Sequence, residues 1–275
     1  KKLIESLNGK QAVIPLSGGY DSRLIAVMLK RLNYGNVLCF SYGRKDNEES
    51  RISKQIADTL GFYWEFIEYT PETWAGWFDK EKSKQYVKYG SNLSSLSIEQ
   101  DYPAIEYLKK KKKINENAII IPGHSYDFLQ GGHLPLYLPI NQNFNPEDLH
   151  REIIIKHYNL WEEPLNKTMK IFNQKLSKEL TTDSNSLNIY ELANSLELWD
   201  LKERQAKFIV NSLRVYDFWG YGWRLPLWDK ELINFWSKIP LEYKLNRNFY
   251  YKYAQKKYLK GTNYNPTKIK YRKFK

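Results

Sequence analysis

Short apolar runs alternate with helical patterns along the first half of the chain. Residues 12–16 (AVIPL) predict a first β-strand, and residues 22–32 carry Leu, Ile and Met at the spacing of one helix face. Further strands are predicted over 37–42, 62–68 and 118–121, with helices over 48–60 and about 98–112. Because short strands that alternate with helices are typical of a parallel sheet with crossover helices, we expect an α/β fold.

The second half has a different pattern. After about residue 146 no strand pattern recurs in the sequence. Apolar residues recur there at helical spacing over 149–161, 165–180 and 187–216. We therefore predict a doubly wound parallel sheet within residues 1–145, followed by an all-helical lobe formed by residues 146–275.

The segment between the first predicted strand and its helix carries the main chemical signal. It reads S-G-G-Y-D-S over residues 17–22, and ligands of doubly wound sheets bind at such strand ends. The glycines let the backbone approach phosphates, the serines add hydroxyl donors, and the helix N-terminus offers free N–H groups. Since phosphate alone would repel Asp21, the aspartate indicates a bridging Mg²⁺. The alternative is a tight turn in which Asp21 or Ser22 caps the helix.

Residues 17–22 resemble the S-G-G-x-D-S motif of the ATP pyrophosphatases. That group includes asparagine synthetase, β-lactam synthetase, GMP synthetase and some tRNA-modifying enzymes, which cleave ATP to AMP and pyrophosphate. The G-x-x-x-x-G-K-[ST] pattern of P-loop phosphotransferases does not occur in the sequence. The resemblance implies an adenine nucleotide alpha hydrolase-like fold, with ATP and Mg²⁺ as cofactors.

A second segment, residues 122–132 (PGHSYDFLQGG), is similar to the S-G-E-G-S-D-E-x-F-G-G motif of the synthetase domain of asparagine synthetase. Gly123, Asp127 and the glycine pair 131–132 match. The resemblance implies that Asp127 helps to hold Mg²⁺ and pyrophosphate, and a second carboxylate at a neighbouring strand end could complete such a site. Taken alone, Asp127 could instead cap the next helix.

A third segment, residues 214–229, resembles the same family's R-x-x-M-x-x-x-x-E-x-R-x-P-F-x-D motif. Arg214, Arg224 and Asp229 fall at matching positions, and an arginine fork suits a phosphate or a carboxylate. Arg224 could equally be a structural partner of Asp229. The three motifs occur in the family's order, and the resemblance extends from residue 12 to about residue 259.

The resemblance implies a set of site residues. By that resemblance, Asp21 and Asp127 would bind the metal. We add His124, from its position and chemistry, and Arg224 as candidate catalytic residues. His124, at a strand end beside Asp127, could act as an acid or base near neutral pH, although a hydrogen-bonded loop histidine is the commoner case. Ser41 and Tyr42 end the second strand, where the family places adenine. The predicted ATP-binding residues are Leu16, Ser17, Gly18, Gly19, Asp21, Ser22, Ser41, Tyr42 and Gly123.

The sequence also departs from the family pattern. His124, Phe128 and Gly222 stand where the family has acidic residues. The family's late-helix lysine falls on Phe249, with Arg247 and Lys252 close by. Because the acidic residues would read the amine of aspartate, these departures argue against an aspartate substrate.

Composition adds an expectation about partners. The 43 Lys and Arg residues exceed the 31 Asp and Glu residues, for a net charge of +12, so we expect an anionic partner: a nucleotide, a nucleic acid or an anionic glycan. The single cysteine, Cys39, lies in an apolar run, which excludes a disulfide framework and favours a buried core residue.

Nothing in the sequence predicts a membrane protein. No run approaches the roughly 20 apolar residues of a membrane span, and no signal peptide is visible, so we expect a cytoplasmic protein. Because the sequence opens on Lys1 rather than Met, we expect a segment upstream of it. No counterpart of the asparagine synthetase glutaminase domain is visible either. Ammonia or an amine would then come from a removed domain, a separate glutaminase or another source.

The sequence therefore predicts an ATP-dependent, AMP-forming amide ligase that adenylates a carboxylate. The basic charge and the missing acidic residues favour a larger anionic acceptor, such as a sugar acid used in surface polysaccharide assembly. One alternative is a tRNA-modifying ATP pyrophosphatase, but the second and third motifs argue against nucleic acid as a partner. The other alternative is an inactive nucleotide-binding module.

Overall fold

A computed structural model of the chain describes residues 1–135, 142–159, 165–180 and 186–257. Within these residues, five parallel strands form one sheet in the order β3-β2-β1-β4-β5. Because the strand order reverses between β1 and β4, the sheet is doubly wound, and the predicted α/β fold class is confirmed. The strands are β1 (Ala12–Pro15), β2 (Val37–Gly43), β3 (Tyr63–Glu68), β4 (Ile119–Ile120) and β5 (Gly222–Trp223).

Helices connect and cover the strands. Those before residue 136 are α1 (Lys2–Leu7), α2 (Tyr20–Arg31), α3 (Glu48–Leu60), α4 (Pro71–Trp74), α5 (Glu81–Ser91), α6 (Tyr102–Lys110) and α7 (Tyr126–Leu129). The later ones are α8 (Pro146–His157), α9 (Leu165–Glu179), α10 (Ile189–Trp199), α11 (Arg214–Phe218), α12 (Lys230–Ser237), α13 (Leu241–Lys244) and α14 (Asn248–Lys257). A π-helical segment (Asp200–Ile209) follows α10 directly.

The central strand β1 is buried on both faces. Ala12, Val13 and Ile14 have no exposed surface. Ala12 and Ile14 pack in one core with α2 and α3, whereas Val13 packs in a second core with α5, α6 and α11. Successive side chains of a strand point to opposite faces, so the sheet separates these two cores. Burial on both faces explains why β1 is an unbroken apolar run rather than an alternating one.

A third core belongs to the helices after residue 142. Residues from α8, α9 and α10 pack around Leu149, Ile153 and Leu192, each without exposed surface. The predicted helices over 149–161 and 165–180 correspond to α8 and α9, and residues 160–161 lie outside the described part of the chain. The predicted helix over 187–216 is divided into α10, the π-helical segment, a 3₁₀ turn (Asn211–Leu213) and α11. A division of the chain at residue 146 stays a prediction.

The expectation that strands end before residue 146 is wrong. Gly222–Trp223 forms β5, which pairs in parallel with β4. A β-carbon at Gly222 would lie 2.9 Å from Cδ1 of Ile119, so glycine permits the close approach of the two strands. A strand of two residues that includes glycine has no alternation or β-branched run, and the sequence pattern therefore missed it. The short helices α4 and α5 were also missed.

No helix in the described ranges has both the length and the apolar character required to cross a bilayer.

Burial of Cys39 can be tested directly. Cys39 lies on β2 without exposed surface, and burial raises the pKa of its thiol to about 12. Because the thiolate is the reactive form, we expect iodoacetamide to leave the folded protein unmodified at about pH 8 and to alkylate one site after denaturation. Intact-mass spectrometry measures both states. Equal rates of labelling before and after denaturation would contradict the burial of Cys39 on β2.

Candidate active site

The loop between β1 and α2 is closed by its own two serines. Ser17 donates its backbone N–H to Oγ of Ser22 at 3.1 Å, and the two hydroxyl oxygens lie 3.2 Å apart. Gly19 donates its N–H to Oγ of Ser17 at 3.2 Å. Leu16 is buried and fixes the start of the loop through a 2.8 Å bond from its N–H to the carbonyl oxygen of Phe40. The loop is thus held in one shape before any ligand arrives.

The interpretation of Asp21 or Ser22 as a helix cap is wrong. The N-cap of α2 is Gly19, in an extended conformation and without a capping side chain, and Asp21 lies inside the first turn. Asp127 does not occupy the N-cap of α7 either, because that position belongs to Ser125. Both carboxylates therefore sit at helix N-termini without serving as caps, which leaves their oxygens for other partners.

Gly123 brings the second motif against the first. A β-carbon at this position would lie 2.6 Å from the backbone nitrogen of Ser22 and 3.1 Å from the carbonyl carbon of Asp21. Any larger residue would push the β4–α7 connection away from the first turn of α2. The predicted ATP-binding residue Gly123 is thus a contact between the two motifs.

Asp21 is a partly buried carboxylate, with 19% of its side chain exposed, and it has both a cation and another carboxylate near it. Burial raises its pKa to about 6, the guanidinium of Arg247 opposes this, and the charge of Asp127 adds to it. For Asp127, burial would raise the pKa, but the hydrogen bond from His133 and the charge of Arg247 lower it to about 2. A divalent cation beside both groups would relieve the repulsion between them and keep Asp21 ionised.

The donor set fits Mg²⁺ if phosphate supplies part of the coordination shell. In the described part of the chain, no group of three or more His, Cys, Asp and Glu side chains is placed to hold a metal ion. The protein would therefore contribute the two carboxylates Asp21 and Asp127. That number agrees with the usual binding of Mg²⁺, through one or two carboxylates, water and substrate phosphates.

Arg247 supplies a positive charge at the same place. Its Nη2 lies 3.7 Å from Oδ2 of Asp21, and its Nε and Nη2 donate to Oε1 of Gln130 at 3.1 and 3.0 Å. Gln130 is fully buried, and its Nε2 lies 3.5 Å from Oδ1 of Asp21. The sequence indicated Arg247 only as a neighbour of the missing lysine, whereas the structure places it in an ion pair with the loop aspartate.

A buried ion pair fixes the segment that carries Arg247. Nζ of Lys244 lies 2.9 and 2.7 Å from the two carboxylate oxygens of Glu197, which ties α13 to α10. The side chain of Lys244 is only 6% exposed. Removal of one partner of such a pair leaves an uncompensated charge and costs about 3–5 kcal/mol. Lys244 therefore has a structural role beside the site.

Arg23 is a second cation that the sequence analysis missed. It lies in α2 without exposed surface, and its Nη2 donates to the carbonyl oxygen of Gly18 at 2.9 Å. Its guanidinium also lies 5.4 Å from the ring centre of Tyr20. An arginine directly after the loop motif was the available signal in the sequence. Its bond to Gly18 ties the loop to α2.

His133 and Asp200 were also missed. Nε2 of His133 lies 3.1 Å from Oδ2 of Asp127, and its Nδ1 lies 2.7 Å from Oδ2 of Asp200. Burial opposes protonation of His133, but the two carboxylates outweigh it and raise its pKa. His133 directly follows the glycine pair of the second motif. No feature of the sequence pattern connects it with Asp200.

His124 lies at the carboxyl end of β4, close to Asp127 as predicted. Burial lowers the pKa of its imidazole, although the charges of Asp101 and Asp127 oppose the shift. Its Nδ1 is buried and has no hydrogen-bond partner among the described residues. A neutral imidazole with a free nitrogen suits a general base, and the catalytic role of His124 stays a prediction.

Ser41 and Tyr42 lie at the carboxyl end of β2, next to the loop. Pro15 pairs with Phe40 across the two strands, so Ser41 lies level with the start of the loop. Ser41 is buried, and Tyr42 donates to Oδ1 of Asp101 at 2.5 Å. Their proposed contacts with adenine stay a prediction.

Arg224 lies apart from these groups. Its Nε and Nη2 donate to Oγ and the carbonyl oxygen of Ser6 in α1, at 3.1 and 3.3 Å. Asp229 caps α12 by accepting from the N–H of Glu231 at 2.8 Å. Among the contacts of the described residues, none joins Arg224 to Asp21, Asp127 or Asp229. The catalytic role of Arg224 therefore stays a prediction without support from these contacts.

Comparison with known families agrees with the motifs. Residues 10–275 match the asparagine synthase family. The chain belongs to the asparagine synthase family. This membership covers all three motifs and supports an ATP-using, amide-forming ligase. No curated protein matches the sequence of this family member.

Solved structures with distant similarity include an NMN synthetase from Francisella tularensis, with 14% identity, a TM-score of 0.34, and coverage of 74% of this chain and 90% of that one. An NH3-dependent NAD synthetase from Campylobacter jejuni, in complex with the nitrate ion, has 17% identity and a TM-score of 0.34, covering 73% and 89%. These scores are too low to support an argument about function.

The role of Arg247 can be measured by pyrophosphate binding. We expect Arg247→Ala to weaken binding by about tenfold or more, because it removes a charge-assisted contact of about 1.5–3 kcal/mol. Lys252→Ala is the matched control, since Lys252 lies on α14 and is exposed. Calorimetric titration with magnesium pyrophosphate gives both affinities. If Arg247→Ala and Lys252→Ala bound pyrophosphate with equal affinity, Arg247 would not be a pyrophosphate-binding residue.

Proposed function

We propose that this chain is an ATP-dependent, AMP-forming amide ligase that adenylates a carboxylate and transfers the acyl group to ammonia or an amine. The observation that carries the proposal is the meeting of Asp21, Asp127 and Arg247 at the phosphate loop. Two carboxylates suit a magnesium–pyrophosphate complex, and the arginine balances the negative charge.

The chain's own groups would bind and orient the nucleotide. The backbone N–H group of Gly18 and the start of α2 would cradle the β and γ phosphates. The guanidinium of Arg247 would contact the departing pyrophosphate, and buried Arg23 would keep the loop in shape through Gly18. Mg²⁺ bound by Asp21 and Asp127 would neutralise charge that develops on the pyrophosphate.

The reaction would have two steps. A carboxylate oxygen attacks the α phosphorus, the bond from that phosphorus to the α–β bridging oxygen breaks, and pyrophosphate leaves. Ammonia or an amine then attacks the acyl carbon, the bond between that carbon and the phosphate oxygen breaks, and AMP leaves. The nitrogen must lose a proton in the second step, and the neutral imidazole of His124 is our candidate acceptor.

The acceptor would be a larger anionic molecule, such as a sugar acid, rather than aspartate. Two family positions for acidic residues hold Phe128 and Gly222. Phe128 is buried, and a side chain at Gly222 would meet Ile119. The net charge of +12 also favours an anionic acceptor. Nitrogen would come from free ammonia, an amine or a separate glutaminase.

Exchange of radiolabelled pyrophosphate into ATP tests the adenylation step. We expect Asp21→Asn and Asp127→Asn each to lower exchange about a hundredfold or more, since each removes a charge that acts at the transition state. Asp58→Asn is the matched control, because Asp58 belongs to an exposed ion pair with Lys54 on α3. Full exchange in either site variant would overturn the metal assignment.

A panel of carboxylates tests the acceptor. Exchange requires the carboxylate that is adenylated, so we expect uronic acids to support it and aspartate to give only background. Radiolabel counting under identical conditions compares the acids. Exchange driven by aspartate alone would contradict the proposed acceptor. Tight ATP binding without exchange for any acid would favour an inactive nucleotide-binding module.

A further inference from the structure

A tight turn after α7 places the next residue over Asp127. Gly131 has a φ of +81°, which a residue with a side chain rarely adopts. A β-carbon at Gly132 would lie 2.7 Å from the carbonyl oxygen of Asp127, and one at Gly131 would lie 2.8 Å from that of Lys244. The two glycines therefore let the chain fold back tightly enough for His133 to reach the Asp127 side chain.

The imidazole of His133 bridges two carboxylates that differ in exposure. Its Nε2 contacts Asp127 and its Nδ1 contacts Asp200, at 3.1 and 2.7 Å. The Asp200 side chain is 3% exposed, whereas that of Asp127 is 45% exposed. One end of the bridge is thus anchored in the interior, and the other end holds a carboxylate that remains accessible to a ligand.

The π-helical segment Asp200–Ile209 fixes the anchored end. Oδ1 of Asp200 accepts from Nε2 of Gln205 at 2.8 Å, and Gln205 is almost fully buried. A π-helix brings residues five apart onto one face, which is the spacing of this pair. His157 of α8 approaches Asp200 at 4.0 Å, and burial lowers the pKa of that imidazole to about 4. Asp200 is therefore held on several sides.

We propose that His133 is a positioning residue, which orients the Asp127 carboxylate toward the cation and pyrophosphate and is itself oriented by Asp200 and Gln205. The proposal depends on the proposed function, because it takes Asp127 as a cation ligand. A partner hydrogen-bonded to a metal-binding carboxylate limits its rotation, and loss of such a partner lowers metal affinity by about 10–100-fold.

Two substitutions of His133 test its contacts with Asp127 and Asp200 one at a time. The amide nitrogen of Asn occupies the place of Nδ1 and that of Gln the place of Nε2, so His133→Asn keeps the contact with Asp200 and His133→Gln keeps the contact with Asp127. We expect His133→Asn to weaken Mn²⁺ binding about 10–100-fold. His133→Gln loses the anchor at Asp200 but keeps the contact with Asp127, so we expect a clearly smaller loss of affinity. Electron paramagnetic resonance of free Mn²⁺, with pyrophosphate present, measures the affinities.

Thermal unfolding of the same proteins tests the competing structural role. If His133 only joined α7 to the π-helical segment, the variant with the lower melting temperature would also have the lower Mn²⁺ affinity, whether or not it kept the contact with Asp127. Wild-type affinity in His133→Asn, or an equal loss in both variants, would overturn the proposal. His150→Asn is the histidine control. His150 lies on α8, and burial lowers the pKa of its imidazole against the opposing effects of Glu147 and Asn173, neither of which belongs to this cluster.

Asp127→Asn distinguishes failure of this inference from failure of the proposed function. If Asp127→Asn binds Mn²⁺ with wild-type affinity, the assignment of Asp127 as a cation ligand is wrong and the inference falls with it. If Asp127→Asn loses affinity while His133→Asn keeps it, Asp127 remains a ligand and only the positioning role of His133 is rejected.

Discussion

The candidate site depends on one steric constraint, the contact between the β4–α7 connection and the first turn of α2. Gly123 lies so close to the backbone of Asp21 and Ser22 that a single β-carbon would collide with it. This approach places the start of α7 beside the start of α2, with one carboxylate on each helix. The electrostatics of the site follow, because two nearby carboxylates need cations. Arg247 supplies one, and Mg²⁺ would supply another in the proposed reaction.

Much of the fold could be predicted because strands β1 to β4 lie within runs of apolar and aromatic residues that give a clear pattern in the sequence. β5 could not, since its two residues pair with β4 through a glycine contact rather than through a hydrophobic pattern. For the site, the sequence supplied Asp21 and Asp127, which lie within local motifs. Arg247 and His133 reach these aspartates through tertiary contacts, and a motif contains no information about which distant side chain will reach it.

The arginines near the phosphate loop also include one close to the loop in sequence and one distant from it. The resembling family has a lysine in its late helix, but the matching position of this chain holds Phe249. Arg23 and Arg247 provide charge from other elements, one buried beneath the loop and the other held against Gln130. Arg224, by contrast, donates a hydrogen bond to Ser6 in α1. The structure thus brings two arginines into contact with the loop that matching of single residues to the family motif would not find.

The π-helical geometry of Asp200–Ile209 limits how this region could vary during evolution. In an ordinary α-helix, positions five apart point about 140° away from each other around the axis. A change of the segment to α-helical winding with all its residues kept would therefore turn Gln205 away from Asp200, even though every side chain was unchanged. The winding of this segment, and not only the identity of its residues, thus determines whether Asp200 keeps Gln205 as its partner.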